Sequence, residues 1–181
     1  MLKRINEDAL AENHVIPAKD EKETRLLMGC GKIPRKQTVM IVNPDTLTRC
    51  RPDEIGEIWL SGESVDRGYW QDPHKTEEYF AAYLSDTGEG PFLRTGDLGF
   101  FQNEELFVTG RLKDVIIIRG RNYYPHDIEM TVEQSYPRLR PGCSAAFGVE
   151  IDGQERLVVT AEVERRFIER RKSDGTYKGE D

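Results

Sequence analysis

The chain has 181 residues, 37% hydrophobic and 33% charged, enough for one ordinary domain or two small ones with a well-solvated surface. Its net charge of -7 excludes general nucleic-acid binding, which needs basic surface to displace counterions, but leaves room for a nucleotide held by a few placed groups. No apolar run is long enough to span a bilayer, and Met1-Leu-Lys-Arg-Ile-Asn-Glu meets charge too early for a signal peptide.

Cys30, Cys50 and Cys143 are odd in number and far apart, and His14, His74 and His126 form no ligand pair. This composition predicts no metal site and no disulfide scaffold, but reduced thiols in a cytoplasmic protein.

In chain order, residues 1–25 are charged and weakly periodic, and Asp20-Glu-Lys-Glu reads as a solvated face or loop. Residues 38–42 are rich in β-branched side chains and stop at the turn sequence Asn43-Pro44-Asp45, and a second strand covers 57–61. Asp72-Pro73 opens a helix, since Asp can cap free amides and Pro suits the first helical position. Phe80, Tyr83 and Leu84 would form its apolar face, with an end before Asp86. Short strands follow at 92–95, 98–101 and 106–109, the last two joined by a reversal at Gln102-Asn103.

After Gly110 the pattern changes. A charged connector, Arg111-Leu-Lys-Asp114, leads into residues 115–119, which are apolar on both faces and read as a buried strand broken by Gly120-Arg-Asn122. Pro125 starts a helix with Asp127 and Glu129 in its first turn, Ile128 and Val132 inward. Strands at 145–149 and 157–163 flank the turn Asp152-Gly153, and the charged tail from Arg165 reads as frayed. The fold class expected is α+β. The second unit holds too few elements to cover both faces of its sheet, and the first begins without a helical layer, which suits a piece of something larger.

Few residues stand out chemically. Gly31-Lys32 is a decoy for a phosphate loop: position 26 is Leu where Gly is needed, and position 33 is Ile where Ser or Thr is needed. In Arg94-Thr-Gly-Asp97, Gly96 lets the backbone turn and Asp97 presents two acceptor oxygens that could take both hydroxyls of a ribose. Spacing alone favours an ordinary turn aspartate. Arg111 has a donor fork suited to ribose or phosphate, or to a surface ion pair with a neighbouring acid. Lys113 lies in the connector, where a polar residue is either a solvated linker or part of a hinge.

Four ordered segments carry a family resemblance: Gly56-Glu-Ile-Trp-Leu-Ser-Gly62, Gly68-Tyr-Trp70, Phe92-Leu-Arg-Thr-Gly-Asp-Leu-Gly-Phe100 and Glu105-Leu-Phe-Val-Thr-Gly-Arg-Leu-Lys-Asp114. Over residues 29–165 the chain resembles the adenylate-forming superfamily of acyl-CoA synthetases, luciferase and nonribosomal peptide synthetase adenylation domains. Ile116-Ile-Ile-Arg-Gly-Arg-Asn-Tyr-Tyr-Pro-His-Asp-Ile-Glu129 is most similar to the fatty-acyl-AMP ligases, as is the extra material before Gly31-Lys-Ile-Pro34.

The resemblance implies that residues 1–110 are a β-barrel-like end of a large adenylation domain, with 1–25 as a family-specific extra segment. Residues 111–114 would be a hinge and 115–181 the first half of a C-terminal lid. Asp97 would hold the ribose hydroxyls, Arg111 would support the ribose and phosphate region, and Lys113 would be the pivot. The implied reaction uses ATP and Mg2+ to turn a fatty acid into acyl-adenylate and pyrophosphate, then passes the acyl group to an acyl carrier protein, often of a polyketide synthase. The family's phosphate loop and its lid lysine, which sits in a Ser-Gly-Lys context, do not occur in these 181 residues. The polypeptide alone is therefore expected to hold no catalytic residue, no tightly bound cofactor and little activity, and to self-associate if truncation exposes β surface. Two alternatives stand beside this reading, a segment of a fatty-acyl-CoA synthetase and a non-catalytic interaction subdomain.

Overall fold

The computed structural model describes residues 1–19, 24–151 and 153–165. Two compact units emerge, one from residues 1–115 with 120–122, the other from 116–119 with 123 onward.

The first unit is built on a six-stranded antiparallel sheet in the order β1-β2-β6-β5-β4-β3. Its strands are β1 (Leu2–Asn6), β2 (Thr24–Lys32), β3 (Gln37–Val42), β4 (Gly56–Gly62), β5 (Leu93–Gln102) and β6 (Glu105–Arg111). The class is α+β as the sequence implies, and the described strands form an open sheet with β1 and β3 as its edges. Asn43 ends β3 by accepting from the amides of Asp45 and Thr46 at 2.9 and 3.0 Å, a local bond that competes with further ladder. The β5–β6 reversal places Asn103 and Glu104 at φ 52° and 63°, the mirror-image turn whose twist matches a two-residue hairpin.

A core forms on one sheet face from Met40, Val42, Trp59, Leu84 and Phe92. Register explains it: Met40 lies opposite Trp59 and Trp59 opposite Arg94, so their side chains share one side of the pleat. Trp59 and Phe92 meet at 6.2 Å between ring centroids, and Phe100 stacks on Phe107 across the β5–β6 pair at 5.2 Å.

Three expectations for this unit are corrected. The opening residues are ordered: β1 pairs along its length with β2, and α1 (Glu7–Ala11) follows, capped by Asn6, whose Oδ1 accepts from the Ala9 amide at 2.8 Å. Ile5 and Leu10 are each 1% exposed, but one inward residue per short element gives no period to read. Residues 20–23, the predicted acidic loop, lie outside the described residues. The helix α2 (Pro73–Phe80) is capped by Asp72 as expected, with Lys75 N donating at 2.9 Å, but it stops short of Tyr83 and Leu84. Ala82 instead exchanges two backbone hydrogen bonds with Phe92, at 2.8 and 3.1 Å, which carries Leu84 into the core as a loop residue. Finally, the strands expected at 92–95 and 98–101 are one strand, because Gly96 at φ 72° bulges the ladder without ending it.

The second unit contains β7 (Ile116–Ile118), α3 (Pro125–Ser135) and the long hairpin of β9 (Leu139–Ile151) and β10 (Gln154–Val163). A short strand β8 (Arg121–Tyr123) stands where a simple break was expected at 120–122. β7 is not buried on both faces: Ile116 is 1% exposed and Ile117 52%, the alternation of a strand with one covered side. Gln154 pairs with Ile151 at the hairpin tip as the sequence implies, although Asp152 itself, like the predicted frayed tail at 166–181, lies outside the described residues. Among the described residues of this unit only Ile116, Tyr124 and Ala146 are buried, while Phe147, Ile151, Leu157 and Val163 are 40–43% exposed.

Helix α3 is tied to β9 by carboxylates. Glu129, expected to face the helix dipole, instead accepts from the Ala146 amide at 3.0 Å, and Glu133 accepts from the Gly142 amide at 2.9 Å and from the Ser144 hydroxyl. These bonds, the Ser144 hydroxyl first, hold the Glu133 carboxyl below the usual glutamate range. A carboxylate with a lowered native pKa stabilises the fold above its unfolded value, and that contribution is lost as pH falls through the native one. The melting-temperature difference between the wild type and Glu133→Gln is therefore expected to shrink as pH drops below about 4.3, in a thermal-denaturation series followed by circular dichroism.

Candidate functional site

Two bulges shape the sheet where β4, β5 and β6 lie side by side. Between the pairs Trp59↔Arg94 and Glu57↔Leu98, Thr95, Gly96 and Asp97 oppose Ile58 alone. Between Leu98↔Gly110 and Gly99↔Val108, Thr109 is the extra residue of β6. Bulges re-aim side chains, and the residue re-aimed here is Asp97.

Asp97 lies directly opposite Arg111 in the β5–β6 register, and Arg111 Nε stands 3.2 Å from Asp97 Oδ1. Their side chains are 43% and 51% exposed, so the pair is open to solvent and to a ligand. An exposed pair of this kind contributes little to stability, about 0–1 kcal/mol. The carboxylate has acceptor capacity left on Oδ2, and the guanidinium retains most of its five donors.

The bend is held locally. Thr95 Oγ1 donates to the Ile58 carbonyl at 2.7 Å and accepts from the Asp97 amide at 3.0 Å. The Gly96 amide donates to Glu57 Oε1 at 3.1 Å. Glu57 Oε2 in turn takes Arg94 Nη2 at 2.8 Å, Arg94 Nε at 3.0 Å and Trp59 Nε1 at 3.0 Å, with the Arg94 guanidinium 5.7 Å from the Trp59 ring centre. On the far side of β6, Arg25 Nη2 donates to the Thr109 carbonyl at 3.0 Å, fixing the second bulge.

Of the three residues singled out from the sequence, Asp97 and Arg111 are therefore together. Lys113 is exposed in a single 3-10 turn, Leu112–Asp114, that continues from β6. Sequence reading missed Glu57, Arg94 and Thr95. A signal was present: an acid inside the apolar strand sequence Gly56-Glu-Ile-Trp-Leu, which a buried strand tolerates only with a cationic partner.

Other chemistry is sparse. Among the described residues no three His, Cys, Asp or Glu side chains converge as a metal-ion cluster, so no ligand set for Mg2+ is assigned here. The three cysteines are free, and burial, with Glu54 nearby, pushes the Cys50 thiol up to about 11, too high for a thiolate nucleophile at neutral pH. No helix among the described residues is long and apolar enough to cross a membrane.

No protein-family model matches the chain. It is 52% identical over 163 residues to the medium-chain-fatty-acid–acyl-carrier-protein ligase JamA of Moorena producens, a match covering 88% of this chain and 28% of that protein. A structure from a study of fatty acyl-adenylate ligases of E. coli and L. pneumophila superposes with a TM-score of 0.73 at 31% identity, covering 91% of this chain and 28% of that one. The L. pneumophila fatty acyl-adenylate ligase in complex with acyl adenylate and pyrophosphate gives 0.60 at 38% identity, covering 93% and 29%. The chain thus spans less than a third of the length of these relatives. By sequence and by fold it belongs to the adenylate-forming superfamily and corresponds to a segment of that superfamily's fatty-acid ligases.

Proposed function

We propose that this chain is the ribose-holding segment of a fatty-acyl-AMP ligase, the enzyme that joins a fatty acid to the AMP moiety of ATP and releases pyrophosphate. The observation that carries the reading is the opposed pair on β5 and β6, an exposed carboxylate at Asp97 braced 3.2 Å from the Arg111 guanidinium. In this reading Asp97 accepts hydrogen bonds from the 2′- and 3′-hydroxyls of the nucleotide. Arg111 holds the carboxylate in orientation while offering its remaining donors to ribose and phosphate oxygens. Residues 111–114, which include the 3-10 turn at Leu112–Asp114 with Lys113 at its centre, are the hinge, and residues 115–181 begin the lid. Residues 1–110 belong to the large adenylation domain, and Mg2+ is supplied at a site formed with the rest of that domain.

An acyl carrier protein is the proposed acceptor, in support of which stands the carrier-protein ligase JamA, whose sequence shares half its matched positions with this chain. A polyketide or lipopeptide pathway is the proposed setting. A rival acceptor, coenzyme A, is favoured by a second relative, the putative fatty-acid–CoA ligase FadD21 of Mycobacterium leprae, 45% identical over 137 residues.

The test is AMP binding by calorimetry. The wild-type chain is expected to bind AMP weakly, and Asp97→Asn to weaken it roughly tenfold or more, the loss of a charge-assisted hydrogen bond. Equal affinity of Asp97→Asn and the wild type would remove the ribose role.

A further inference from the structure

Among the described residues Glu57 is the one charged side chain that is fully buried, at 1% exposure. Burying a carboxylate is costly unless it is paired and hydrogen-bonded. Its two oxygens are used differently. Oε2 takes all three side-chain donors, two from Arg94 and one from Trp59, whereas Oε1 accepts the Gly96 amide. Stability does not require this arrangement, since apolar residues of matching volume commonly replace a buried ion pair without loss. What an apolar residue could not supply is the acceptor for Gly96.

We propose that Glu57 is the positioning residue for Asp97. Gly96 stands at φ 72°, and with its amide fixed by Glu57 the bulge has one conformation instead of several. The chain then passes through the Thr95 hydroxyl, which joins the Ile58 carbonyl to the Asp97 amide, and Asp97 emerges facing Arg111. The buried ion pair with Arg94 anchors the carboxylate, so the core of the sheet sets the direction of a side chain at its surface. The inference rests on the ribose reading of Asp97 for its consequence, though not for its geometry.

The test compares the full 181-residue chain with Glu57→Leu/Arg94→Leu, Glu57→Gln, Glu57→Asp and Asp97→Asn, by amide hydrogen exchange at Gly96 and by AMP calorimetry. The double variant keeps apolar volume while removing the acceptor. It is expected to unfold cooperatively, to exchange the Gly96 amide roughly tenfold faster and to bind AMP roughly tenfold more weakly. Glu57→Gln keeps an oxygen within reach of Gly96 and is expected to restore both readouts to near wild type. Should the double variant fail to fold, Glu57→Asp decides: the shorter carboxylate keeps the charge but withdraws from Gly96, and faster exchange there is expected. Wild-type Gly96 protection and AMP affinity in a folded double variant, or in Glu57→Asp, would overturn the proposal. If the wild type does not bind AMP, or Asp97→Asn binds it equally, the ribose reading fails by itself. Gly96 exchange then judges the positioning alone, with loss of protection upholding it and unchanged protection defeating it.

Discussion

Supplied with ATP, Mg2+ and a fatty acid, the 181-residue polypeptide is expected to release pyrophosphate at least about a thousandfold more slowly than an intact fatty-acyl-AMP ligase. The reason is electrostatic. Joining a carboxylate to the α-phosphate brings an anion onto a polyanion, and the barrier falls only where donors and cations meet the developing charge. In the proposed reading the site on β5 and β6 addresses the sugar. Its charges nearly cancel, one carboxylate against one guanidinium, and no phosphate-cradling glycine loop lies within the sequence. Removing a single such donor from an active site commonly lowers turnover by about 10²–10³, so lacking both a loop and a lysine exceeds that. A coupled pyrophosphate assay checks it, and turnover near that of the intact enzyme would mean that the chemistry resides in these residues after all.

The largest expected effect on stability is at Trp59. Its side chain is 1% exposed, packs against Phe92 and lies beneath the Arg94 guanidinium, while its indole N–H donates to Glu57. Trp59→Ala opens a cavity and withdraws one of the donors on a buried carboxylate, and about 3–5 kcal/mol of destabilisation is expected in a urea titration followed by circular dichroism. Trp59→Phe refills most of the volume but leaves the Glu57 contact unmade, and should cost distinctly less. A loss under about 1 kcal/mol for Trp59→Ala would mean that the neighbouring side chains collapse into the space.

How much of this was legible beforehand depended on whether a signal was local. The turn at Asn43, the cap at Asp72 and a tight β5–β6 reversal each follow from the chemistry of one or two residues, and the structure has all three, the reversal at 103–104, one position after the expected 102–103. The alignment of Asp97 with Arg111 was visible only as a family resemblance, because nothing in the spacing of positions 97 and 111 specifies a register. Elements whose cause lies far away in sequence escaped. β1 exists because β2 pairs with it some twenty residues later, and α2 ends at Phe80 because Phe92 claims Ala82. Glu57 escaped for the same reason, since its partner Arg94 is 37 positions distant and separated by a helix.

The carboxylates of α3 also give the second unit a direction. With Ala146 and Gly142 already donating to Glu129 and Glu133, that margin of β9 offers few free amides to a newcomer. An additional strand could pair there only by first displacing the α3 carboxylates, so this margin is shut to enlargement of the sheet.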